Sequence, residues 1–89
     1  MDNVNLIKSC DLIGTNIFIT TEYTDNGVSR IDFFDIDILA IDVISFTHPV
    51  AGDIVEIVMA DGEVLEIYGE IGNKLVRKLY NSISKTMGG

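Results

Sequence analysis

The segment Asp53–Gly69, DIVEIVMADGEVLEIYG, constrains the fold more than any other part of the chain. Two runs rich in β-branched residues flank Ala60-Asp61-Gly62, a pattern that predicts a β-hairpin. Two registers compete. A two-residue Asp61-Gly62 loop sets Ile57 opposite Glu66, so each face carries a carboxylate among aliphatics. A three-residue loop pairs Met59 with Glu63, Ile57 with Leu65 and Val55 with Ile67. Val55, Ile57, Met59, Leu65 and Ile67 then share one face, and Glu56 and Glu66 meet on the other. The second register is preferred, because a slip of one residue exchanges the faces. Gly62 supplies the left-handed position such a loop needs. The like-charge pair costs some tenths of a kcal/mol.

A second hairpin is expected over Thr15–Phe34, TNIFITTEYTDNGVSRIDFF, around Asp25-Asn26-Gly27. A two-residue Asn26-Gly27 loop sets Glu22 against Ile31 and Ile19 against Phe34. A three-residue loop pairs Glu22 with Arg30, Thr21 with Ile31 and Ile19 with Phe33. The latter gives an opposite-charge cross-strand pair and separates polarity better, so it is the register expected here. Phe33 then shares one face with Ile17 and Ile19, and Phe34 lies on the other.

Asn3–Ser9 reads as a first edge strand, with a short helical turn as the alternative, and Asp11–Gly14 as a turn. Asp35, Ile36 and Asp37 turn the chain or start a strand. From Leu39 to Phe46 both alternating sets are largely apolar, which predicts a strand covered on two sides and ended by His48-Pro49. Glu70–Met87, EIGNKLVRKLYNSISKTM, carries Leu75, Leu79 and Ile83 at helical spacing, widened by Val76 and Tyr80. Asn73 can cap this helix, with a start at Glu70 as the alternative. The sum is one α+β domain over residues 1–89. It is an antiparallel meander of about five to six strands, a sheet or partly open barrel, with one C-terminal amphipathic helix packed on it.

The pattern of strand, DG-type hairpin (IVEIVMADGEVLEIYG) and final helix (KLVRKLYNSI) resembles pleckstrin-homology-like and GRAM-type small barrels. The resemblance covers mainly Leu39–Ile83 and rests on pattern, not on a motif. It implies that fold, but the chain is one strand short of the usual seven. It also lacks the basic hairpin of lipid-binding members, so a phosphoinositide function does not transfer.

Charge limits the function classes. Up to Glu70, fourteen acidic residues stand against two basic ones, Lys8 and Arg30. After it come Lys74, Arg77, Lys78 and Lys85 and no acid, for a net −8. An anionic body argues against nucleic acid or anionic lipid as a direct ligand and favours a basic partner surface. The late cations read as a solvated helix edge. With no basic-then-apolar leader and no apolar run of about 20 residues, a cytoplasmic protein is expected.

Motifs for chemistry are lacking. Asp32, Asp35 and Asp37 crowd one segment, but the spacing is not that of a calcium loop, so they read as an acidic rim and not a metal site. His48 has only Ser45 and Thr47 nearby, and strand neighbours point apart. Cys10 reads as a small buried hydrophobe. Gly62, Gly69 and Gly72 do not form a phosphate loop. No catalytic residue, metal or cofactor is therefore expected.

The expected function is a non-enzymatic acidic protein that docks a basic surface of a protein partner through Asp32, Asp35, Asp37, Asp61, Glu63 and Glu66. Size, acidity and lack of motif are similar in type to phage-encoded inhibitors of nucleic-acid-binding defence complexes, such as anti-CRISPR and anti-restriction proteins. The alternative is an assembly module that forms a homodimer through the face of Ile54, Val58, Val64 and Tyr68, or through sheet edges.

Overall fold

The computed structural model describes residues 5–50 and 52–88. Asn3 and Val4 of the expected first strand lie outside them. Six strands form one mixed sheet: β1 (Asn5–Ile13), β2 (Asn16–Asp25), β3 (Val28–Asp37), β4 (Ile41–Thr47), β5 (Gly52–Met59) and β6 (Val64–Glu70). A short 3-10 turn, Ile38–Ala40, joins β3 to β4, and helix α1 (Leu75–Gly88) ends the chain. The expected α+β class, strand number and packed terminal helix are all present.

The strand order is β3-β2-β1-β6-β5-β4. Two antiparallel meanders, β1-β2-β3 and β4-β5-β6, are therefore joined where β1 runs parallel to β6, at Asn5 opposite Ile67 and Leu6 opposite Tyr68. A single continuous meander does not contain that pair. The sheet is not closed, and β3 and β4 are its edges.

β5 and β6 take the expected register. Val55 faces Ile67, Ile57 faces Leu65, and Glu56 faces Glu66. Met59 N–H donates to the Glu63 carbonyl at 2.8 Å across the three-residue loop. Gly62 has φ +93° with open space where a Cβ would stand. Gly62→Val is therefore expected to destabilise through backbone strain alone, by roughly 1 kcal/mol or more. A melting temperature equal to that of the parent would remove the strained loop from the account.

The β2–β3 register corrects the expectation. Asn26-Gly27 forms a two-residue loop, both residues at positive φ (51° and 78°). That is the mirror-image turn whose twist matches paired strands, and Asn-Gly strongly prefers it. Glu22 now faces Ile31 and Ile19 faces Phe34. Phe34 joins the core, and Phe33 is 81% exposed. Glu22 finds its charge partner in Lys8 at 3.2 Å instead of Arg30. Ser29 Oγ also donates to it, and these contacts hold its carboxyl below the ordinary value.

Three further expectations shift. The first strand is not at an edge, since β1 lies between β2 and β6. β1 runs on to Ile13 and turns at Gly14-Thr15, so Asp11–Gly14 is mostly strand. A bulge at Lys8 changes the parity of β1 and lets both Ile7 and Cys10 point inward. The strand expected to be covered on two sides starts only at Ile41 and lies at an edge. Ile44 and Phe46 pack on the core, while Val43 and Leu39 are exposed.

The helix begins past Glu70, which belongs to β6. Asn73 Oδ1 accepts from Leu75 N–H at 2.9 Å, and its amide reaches the Ile7 carbonyl. The cap therefore also ties the helix start to β1. Val76, Leu79 and Ile83 are fully buried with Ile7, Ile17, Ile19, Ile57 and Ile67. Leu75 is only half-buried.

Candidate protein-binding surface

The outer face of β5 and β6 follows from the side-chain alternation that builds the core. With Val55, Ile57 and Ile67 inward and fully buried, Glu56 and Glu66 project to the other side, directly opposite each other. Ile54, Val58 and Tyr68 flank them half-buried, and Val64 is 56% exposed. Among the described residues no cation pairs with either glutamate; the ion pairs are Lys8–Glu22 and Arg30–Asp25, and His48 meets Asp53. Glu66 was expected in the site. Its opposite number Glu56 was not, although the register that placed Glu66 also placed Glu56.

Glu63 and Asp61 lie at the end of this hairpin. Asp61 Oδ1 accepts from Glu63 N–H at 2.9 Å, so one carboxylate oxygen is committed to the loop. Glu63 faces a groove of about 330 Å³ between the hairpin end and β3, lined also by Phe33, Phe34, Asp35, Met59 and Val64. Asp35 and Glu63, distant in sequence, thus share one apolar-floored groove.

The three aspartates of β3 do not act as one cluster. Alternation puts Asp32 on the opposite side of the strand from Asp35 and Asp37. Asp32 is half-buried opposite Thr21. Asp35 accepts from the Asn16 amide at 2.8 Å. Asp37 caps the 3-10 turn by accepting from Leu39 N–H at 3.0 Å. Of the six expected residues, Asp61, Glu63 and Glu66 lie on one hairpin, Glu63 at its end opposite Met59 and Glu66 on the outer face. Asp35 borders the hairpin end across the groove, and Asp32 and Asp37 stand apart.

A second concavity has the opposite sign. A cleft of about 470 Å³ runs between the start of α1 and the β4–β5 connection, lined by His48, Asp53, Asn73, Lys74, Arg77 and Asn81 among others. His48 Nδ1 meets the buried Asp53 carboxylate. Among the described residues, Asp53 is the hydrogen-bond partner of His48. Arg77 stacks 5.6 Å above the Phe46 ring, and Lys78 Nζ donates to the Cys10 carbonyl at 2.9 Å. Arg77 and Lys78, two of the three cations of α1, therefore have structural contacts. Cys10 is buried, which pushes its thiol above the ordinary value, with Lys78 opposing in part. A raised thiol pKa is the reverse of what a nucleophile needs.

No group of three or more His, Cys, Asp or Glu residues is placed to hold a metal among the described residues. No described helix is long and apolar enough to cross a membrane. Comparison of the chain with protein-family models, curated proteins and solved structures gives no match.

Proposed function

We propose that this is a non-enzymatic, cytoplasmic binding protein that docks the basic surface of a protein partner on the outer face of β5 and β6. The observation that supports the reading is the Glu56–Glu66 pair: two carboxylates face each other across the outer face of β5 and β6, and among the described residues no cation pairs with either. Such a pair opposes folding by some tenths of a kcal/mol. A Lys or Arg from a partner removes that repulsion on binding, so the strain of the free protein becomes affinity in the complex. Val64 and Val58 add apolar contact beside the charges, and Glu63 and Asp35 extend the acidic surface into the groove. Nucleic-acid-binding defence complexes are a fitting partner class, because their basic channels present the complementary charge.

The test replaces Glu56 and Glu66 by Gln, a change of charge at nearly constant shape. The double variant is expected to melt at the same temperature as the parent or slightly above it, since repulsion is relieved. Partner recovery from lysate is expected to fall with rising salt for the parent. It should be much reduced for the variant at low salt. Equal recovery by both proteins, insensitive to salt, would assign the acidity to solubility alone.

A further inference from the structure

The two edges of the sheet are built differently. β4 is seven residues long, is bulged at Asp42, and touches α1. Bulges and short length are common protections of an exposed edge. β3 is ten residues long and pairs with β2 without a bulge from Val28 to Asp37. It contains no proline and no lysine. Val28 (54%), Ile31 (48%) and Phe33 (81%) are exposed on it.

The turn decides which backbone groups of β3 are free. In a hairpin with a two-residue loop, the residues flanking the loop exchange both hydrogen bonds. Asp25 and Val28 are that pair. Counting by twos, Val28, Arg30, Asp32 and Phe34 direct N–H and C=O toward β2. Ser29, Ile31, Phe33 and Asp35 direct theirs away from it. A strand added at this edge must meet these four residues.

A second β3, added antiparallel about a two-fold axis, is limited to registers that pair odd residues with odd ones. Centring on Arg30 opposes two arginines, and centring on Asp32 opposes two aspartates. Centring on Phe33 leaves Asp32 against Phe34 and Ile31 against Asp35. Centring on Ile31 sets Arg30 opposite Asp32 twice, Val28 opposite Phe34 twice, and Ser29 opposite Phe33 twice. The segment VSRIDFF is thus self-complementary in charge and in apolar character about Ile31. Arg30 is free to turn to the new strand, since its bond to Asp25 is a surface pair at 3.3 Å.

We infer that the protein forms a two-fold dimer by antiparallel pairing of β3 with β3 of a second copy, centred on Ile31. The inference goes beyond the docking reading, and neither Glu56 nor Glu66 takes part in it. The dimer continues the sheet across the two copies and leaves Glu56 and Glu66 of each outside the pairing, while Phe33 and Asp35, which line the groove, lie on the paired edge.

Sedimentation velocity over a concentration series reads the association, with circular dichroism and thermal melts to confirm that each variant is folded. The parent is expected to approach twice 9.8 kDa. Ile31→Pro removes a free N–H that the monomer does not use, and is expected to stay monomeric. Arg30→Asp and Asp32→Arg each turn two attractive cross-strand pairs into repulsive ones, and should weaken association roughly tenfold or more. The double swap Arg30→Asp with Asp32→Arg restores both pairs and should regain the dimer. A parent that stays monomeric throughout overturns the inference. So does a dimer that persists in every variant, and so does a double swap that fails to recover. Capture of a basic partner by the Ile31→Pro protein separates this outcome from failure of the docking reading.

Discussion

Leu79→Ala is expected to lower the stability of this protein by about 2–5 kcal/mol, in the upper half of that range. Leu79 is fully buried in the central turn of α1, between Val76 and Ile83, which are also fully buried. The cluster around it is dominated by isoleucines of the sheet, Ile7, Ile57 and Ile67 among them. β-Branched side chains have few rotamers and are anchored in strands, so they cannot move in to fill the space the leucine leaves. A domain of this size has roughly 5–15 kcal/mol in all, so the loss removes a large share of it. Urea unfolding of parent and variant measures this as a lower midpoint with an unchanged slope. Leu75→Ala is the internal control: Leu75 is half-buried one turn earlier and should cost clearly less. A Leu79→Ala loss below about 1 kcal/mol, or one equal to that of Leu75→Ala, would mean that the helix does not close the core.

The sequence made this helix legible because its apolar residues repeat at one period and Asn73 stands where a cap belongs. The β5–β6 register was legible for a similar reason: only one pairing puts Val55, Ile57 and Ile67 on one face. β2–β3 was harder, because both registers leave mixed faces. An apparent Glu22–Arg30 pair favoured the wrong one. The turn held the better information, since Asn26 and Gly27 both accept positive φ, and a backbone requirement of that kind outweighs a surface ion pair worth a few tenths of a kcal/mol. The error exchanged Phe33 and Phe34, and with them the character of the β3 edge. The parallel contact of β1 with β6 joins Leu6 to Tyr68 and leaves no local pattern to read. At the proposed binding surface, the place of Glu66 opposite Glu56 followed from the hairpin register. Asp32, Asp35 and Asp37 looked like a cluster only because nearness in sequence was taken for nearness in space, and a pleated strand sends alternate residues to opposite sides.

Gly69→Ala is the second large effect expected, and it runs against strand propensity. Glycine inside a strand usually weakens it, so alanine would stabilise by some tenths of a kcal/mol if the site were open. The site is closed by the helix. A Cβ on Gly69 would stand 2.4 Å from Val76 Cγ2 and 3.3 Å from Val76 Cβ. Val76 is fully buried and β-branched, with one favoured rotamer in a helix, so its methyl has nowhere to swing. The helix must lift from the sheet, or β6 must shift against β5, where Gly69 lies opposite Asp53. Overpacking of this kind costs about 1–3 kcal/mol, occasionally more. Val76→Ala alone should also destabilise, by opening a small cavity. Combined with Gly69→Ala it removes the nearest clashing atom, and the new methyl partly fills the space left by valine. The double variant is therefore expected to be more stable than the sum of the two single losses predicts, by about 1 kcal/mol or more of coupling. Urea unfolding of all four proteins measures that coupling. Strict additivity would show that α1 is not seated on Gly69 in solution.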